Sequence, residues 1–137
     1  MKKCLIVCSE PFFWEEHIAV IQAAGFECIV CHSGEEAYES LQKNNFDFAM
    51  VSNTLFGVLP AEGEFSQRGT DSSHDFHAVG TKYIAPMMEK FKIPFVLLGT
   101  ARRPSKNGFP HCLWADHVSE LSLAGTEEIL RNLPTKR

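Results

Sequence analysis

Hydrophobic positions in this chain fall into short, unbroken runs separated by segments with helical spacing. Lys3 to Cys8 is one such run, bounded by a turn, as expected of a central parallel strand covered on both faces. Glu10 and Pro11 then open a helix on which Phe13, Ile18, Ile21 and Ala24 keep mainly to one side, and Gly25 supplies its stop. Phe26 to Cys31 is the second strand. Ser33 with Glu36 three residues later has the spacing of a capping box, which places a second helix from Gly34 to about Lys43. Phe46 to Val51 is the third strand, Thr81 to Phe91 a helix that Pro86 bends or shortens, and Pro94 to Leu98 the fourth strand. A fifth strand lies within Cys112 to Leu121, and a short helix from Thr126 to Leu133 closes the pattern. Strands alternating with helices imply a parallel sheet.

Two segments break this rhythm. Asn53 to Gly80 is rich in Gly, Ser, Asp and Thr and has no period, and Asn107, Gly108 and Pro110 would break any helix between the fourth and fifth strands.

The runs KKCLIVCSEPFF, GFECIVCHSGEEAYESL and NFDFAMVSNTLFG resemble, in order and spacing, the first half of a response-regulator receiver domain of the chemotaxis type. That resemblance implies a flavodoxin-like, doubly wound five-stranded parallel sheet of order 2-1-3-4-5. Set against the family, residues 53–80 contain an insertion of about twenty residues, longer than structureless connections usually run, and the fourth helix is degraded. In the family two adjacent acidic residues end the first strand and a phosphoacceptor aspartate ends the third. Cys8, Ser9 and Ser52 stand there instead. Glu10, one residue beyond the acidic pair, Asn53 and Thr100 complete the degenerate pocket, and only Thr100 matches a family residue, the hydroxyl that responds to phosphorylation. The family's lysine at the end of the fifth strand falls near Glu120 and Leu121, and no lysine occurs between Asp116 and Ile129.

The chemistry follows from those replacements. Mg²⁺ is a hard cation that needs several oxygen ligands, and phosphoryl transfer needs the metal's charge. One carboxylate does not supply such a site, and Ser52 without an activating base is a weak acceptor. The expectation is a non-phosphorylatable pseudo-receiver, not an enzyme and without a cofactor, acting through a protein partner or as a homodimer. Phe109, Leu113 and Trp114, beside the degraded helix, are the candidate interface.

Other groupings suggest a ligand or metal module at the carboxyl ends of the strands. Asp75, His77 and Gly80 spell D-x-H-x-x-G, which resembles the cobalt-ligating signature of cobalamin-binding domains, but in that family the motif follows the first strand and here three strands precede it. His74 and His77 with Asp71 and Asp75, or His111, Cys112 and His117, are weak metal candidates without paired spacing. Cys28 and Cys31 are three apart on a strand and point to opposite faces, which argues against a redox pair, whereas Cys4 and Cys8 share a face and read as core. Of Phe12, Phe13 and Trp14, at least one is expected near the pocket rim or the surface.

At 137 residues and 45% hydrophobic, the chain fits one domain with a proper core. A net charge of −4 supplies no field for nucleic acid or an anionic membrane. The five cysteines suit a reducing, cytoplasmic setting, and the apolar run at the N-terminus is too short for an export or membrane segment.

Overall fold

Every residue of the first strand from Cys4 to Val7 is buried, and this is possible because helices cover both sides of the sheet it belongs to. The computed structural model describes residues 2–8, 14–52, 84–98, 110–116 (backbone only from 114) and 122–133. Within them the order is β1 (Lys2–Val7), α1 (Glu15–Ala23), β2 (Phe26–Cys31), α2 (Gly34–Lys43), β3 (Phe48–Ser52), α3 (Ala85–Lys90), β4 (Phe95–Leu98), β5 (Cys112–Asp116) and α4 (Leu123–Arg131). The strands form one parallel sheet in the order β2-β1-β3-β4-β5, the flavodoxin-like arrangement expected from the sequence.

Alternation along the strands divides the core in two. Leu5, Val7, Ala49, Val51, Phe95 and Leu97 face α2 and α3, where Ala37, Leu41, Met87 and Met88 meet them. Cys4, Ile6, Cys8, Phe48, Met50, Val96 and Leu98 face the other way, toward Trp14 and Ile21 at α1 and Ile129 and Leu130 of α4. Such two-sided burial explains why the strands read as continuous apolar runs.

Local signals set most boundaries. Ser33 Oγ accepts the Glu36 amide at 3.2 Å, while the Glu36 carboxylate takes the His32 amide at 2.5 Å, so the box closes one residue earlier than its usual form. Gly25 ends α1 at φ +96°, where a side chain would strain the backbone. α1 itself begins only at Glu15, and Ala24, expected on its apolar face, is its exposed C-cap. Pro86 sits in the first turn of α3, where its missing N–H leaves no helical bond unmade. Residues 81–83 of the predicted helix lie outside the described residues.

One expectation needs correction. The last helix starts at Leu123, three residues ahead of the predicted Thr126, because Ser122 Oγ caps it by accepting the Gly125 amide at 2.9 Å. The fifth strand is Cys112–Asp116, inside the expected range of Cys112 to Leu121, with Asp116 in register with Leu98; Glu120 and Leu121 lie outside the described residues. The predicted insertion at 53–80 and the segment expected to have lost a helix lie largely outside the described residues.

Candidate functional site

The carboxyl ends of β1 and β3 lie side by side, since Val7 and Val51 are in register and Cys8 and Ser52 follow them. The Cys8 amide donates to the Cys31 carbonyl at 2.9 Å, which carries the ladder with β2 one residue past β1. Ser52 is in register with Leu98, and Leu98 with Asp116, so one row across the sheet holds Ser52, Leu98 and Asp116. This row is the crevice side of the sheet near its switch in strand order, where ligands of such folds bind. Cys8 is 6% exposed and packs with Trp14 and Ile6, and Ser52 is half-buried. By strand alternation both face the α1 side.

The pair brings together a thiol and a hydroxyl, and neither is the carboxylate that a hard cation requires. Of the other residues assigned to this pocket, Ser9, Glu10, Asn53 and Thr100 lie outside the described residues, as do Asp71, His74, Asp75, His77, Gly80, Phe12, Phe13, Phe109 and His117. Trp14, by contrast, is buried at 7% exposure against the core. Among the described residues no group of three or more His, Cys, Asp or Glu side chains is placed to hold a metal ion.

His111, one member of the second suggested metal cluster, makes a structural contact. His111 Nδ1 lies 2.5 Å from Glu89 Oε1, and its backbone amide donates to Glu89 Oε2 at 2.7 Å. This double contact ties the entry to β5 onto α3. Cys112, beside it, is half-buried against the core on that side. At the expected interface, Leu113 is 39% exposed and β5 is the last strand of the sheet, with Trp114 placed in it in register with Val96.

Sequence reasoning separated Cys28 from Cys31 correctly, for they join the cores on opposite faces. It missed two pairs that only topology creates. Cys4 and Cys28 are in-register neighbours on β1 and β2. His17 Nδ1 lies 2.8 Å from Thr126 Oγ1, which joins α1 to α4 through the one polar side chain buried among the described residues. No signal in the sequence marks a contact across 109 residues. A groove of about 500 Å³ lined by Lys2, Phe26, Ala24, Leu130 and Arg131 lies at the opposite, amino end of the sheet from Cys8 and Ser52. Among the described residues no helix is long and apolar enough to cross a membrane.

Solved structures similar to this chain are response-regulator receiver domains. The response regulator TrrA of Thermotoga maritima, in complex with Mg(2+)-BeF, is 20% identical with a TM-score of 0.65, over 98% of this chain and 100% of that one. The chemotaxis protein CheY4 of Vibrio cholerae is 18% identical with a TM-score of 0.65, over 98% and 99% of the two chains. A receiver domain from Clostridium thermocellum is 9% identical with a TM-score of 0.66, over 97% and 94%. The chain therefore has the receiver fold. No protein-family model matches it, and no curated protein matches it in sequence.

Proposed function

We propose that the protein is a non-phosphorylatable, receiver-like signalling module that works through protein contacts. The observation that carries this reading is the pairing of Cys8 and Ser52 at the adjacent ends of β1 and β3, the positions where receivers, by the resemblance drawn from sequence, carry their acidic residues. Without those carboxylates, Mg²⁺ is not held and the charge of an incoming phosphoryl group is not offset. A serine hydroxyl is a far weaker phosphoryl acceptor than an aspartate carboxylate.

Protein contact remains as the output. A solved structure of TrrA with the histidine kinase ThkA, in which TrrA is 19% identical to this chain with a TM-score of 0.66 over 98% and 100% of the two chains, is an example of this fold meeting a protein partner. In this chain the partner is a second copy or another protein, met on the side of β4 and β5, where Leu113 is exposed at the sheet edge. Nucleic acid and membrane are not partners on this reading, given a net charge of −4.

The test is incubation of the purified chain with acetyl phosphate and Mg²⁺, followed by intact mass measurement. The expected result is an unmodified mass and no saturable Mg²⁺ binding in the millimolar range typical of weak sites. A phosphoryl adduct on Ser52 or on any carboxylate of the pocket would refute the reading.

A further inference from the structure

We propose that Cys4 and Cys28 form an oxidisable thiol pair that closes to a disulfide between β1 and β2 when a peroxide reacts with it. The two residues are in register on neighbouring parallel strands, and both side chains lie on the face covered by α1 and α4. Neighbouring strands run about 4.7–4.9 Å apart, inside the Cα separation of roughly 4.4–6.8 Å that a disulfide spans.

The two positions differ in a way that orders the steps. Cys28 is half-buried on β2, one of the two edge strands of the sheet, whereas Cys4 is fully buried on β1. The hydrogen bond from Cys4 holds the Cys28 thiol below its ordinary pKa, and burial pushes Cys4 well above it. Cys28 is thus both the more accessible and the more readily ionised sulfur, the combination that makes a thiol reactive. Its thiolate attacks one oxygen of hydrogen peroxide, the O–O bond breaks, and Cys28 becomes a sulfenic acid as the first water leaves. Cys4 sulfur then attacks Cys28 sulfur, the S–O bond breaks, and the second water departs with the Cys4 proton. In sum two thiols lose two electrons and two protons, and one peroxide becomes two waters.

The other cysteines are not placed to compete. Cys8 shares the face but lies four residues along β1 from Cys4, about 13 Å at the strand rise. Cys31 is on the opposite face, and burial pushes its thiol up to about 11. Cys112 is on β5, three strands from β1.

The test treats the reduced full chain with hydrogen peroxide and reads intact mass, the number of titratable thiols, and linkage after cleavage at glutamate, which separates Cys4 from Cys28. Expected are a mass lower by two hydrogens, a loss of two thiols, and fragment ions that join Cys4 to Cys28. Cys28→Ser should abolish that species, and Cys4→Ala should leave a sulfenic acid on Cys28 that dimedone traps. A link from Cys28 to any other cysteine, a link between two molecules, or Cys28 oxidised to sulfinate with Cys4 still free in the unmodified sequence would overturn the proposal. The mapping on the unmodified chain decides the matter even where Cys4→Ala fails to fold.

Discussion

Replacing Thr126 by valine removes the hydroxyl that links α1 to α4, and its cost follows from the contacts that hydroxyl makes. Thr126 is 1% exposed; its Oγ1 lies 2.8 Å from His17 Nδ1 and 3.3 Å from the Ser122 carbonyl. The hydroxyl has one proton. Donated to the Ser122 carbonyl, it leaves oxygen lone pairs free to accept an Nδ1–H from His17, which fixes the neutral tautomer. Valine keeps the shape and loses both bonds. The Ser122 carbonyl still accepts from the Thr126 amide at 3.0 Å, so the uncompensated group is the His17 Nδ1–H. One lost hydrogen bond plus a half-buried unsatisfied donor comes to about 1–2 kcal/mol. For 137 residues the unfolding entropy is roughly 0.3 kcal/mol/K, which converts the loss to a Tm about 3–7 °C lower. Chemical denaturation at pH 8 of Thr126→Val, His17→Ala and the double variant gives the coupling directly, expected at about 0.5–1.5 kcal/mol. Additive losses, or a Thr126→Val loss under about 0.3 kcal/mol, a scale at which independent sites merely add, would refute the reasoning. The pair also carries a pH signature. Burial holds His17 below its ordinary value of 6.5, against a smaller opposing pull from Glu16. The unfolded chain therefore binds more protons there, so this contribution is complete above pH 6.5 and declines as the pH falls through the two pKa values. Relative to His17→Gln, the natural chain should lose stability from pH 7 to pH 5, and a difference that stays flat would contradict the burial of this imidazole.

Ser33→Ala removes the N-cap bond to Glu36 and should destabilise the protein by about 1 kcal/mol, read by urea denaturation, with Ser33→Asp restoring most of it. Leu113→Glu places a charge on exposed apolar surface at the sheet edge, and sedimentation should show it weakening self-association or partner binding while Tm changes little; unchanged association would move the interface away from this strand.

The sequence was most legible where two independent signals agreed. α2 lies at Gly34–Lys43 as expected, because Ser33 and Glu36 mark its start and the polar Asn44 and Asn45 end its pattern. β2 was equally clear, bracketed by Gly25 and His32. The error has a physical cause. In α4, Gly125 costs roughly 1 kcal/mol inside a helix, so the start read from the sequence fell after it; the cap at Ser122 outweighs that deficit. The fifth strand was legible only as a range, Cys112 to Leu121, within which it occupies Cys112–Asp116. The candidate site was legible only in outline. That Cys8 and Ser52 end adjacent strands follows from strand order, whereas the Cys4–Cys28 and His17–Thr126 pairs depend on register and helix packing, which no local pattern encodes.

The core explains why a receiver fold persists with a thiol and a hydroxyl where its resemblance places carboxylates. All of the side chains from Cys4 to Val7, from Phe48 to Val51 and from Phe95 to Leu98 are buried, and they are split between two apolar layers that end before Ser52. Stability resides in those layers, because burial of large apolar side chains contributes roughly 1.5–3 kcal/mol each. A cluster of carboxylates at the strand ends would add only like-charge repulsion and the cost of partial desolvation. Exchanging such groups for Cys8 and Ser52 removes that repulsion, and at Cys8 it extends the apolar layer by a residue that packs against Trp14. Chemistry and scaffold are therefore separable at this end of the sheet. On the function proposed above, a chain with the same layers and without the acids keeps its surfaces for recognition, and Leu113, exposed at the β5 edge, is where that proposal meets its test.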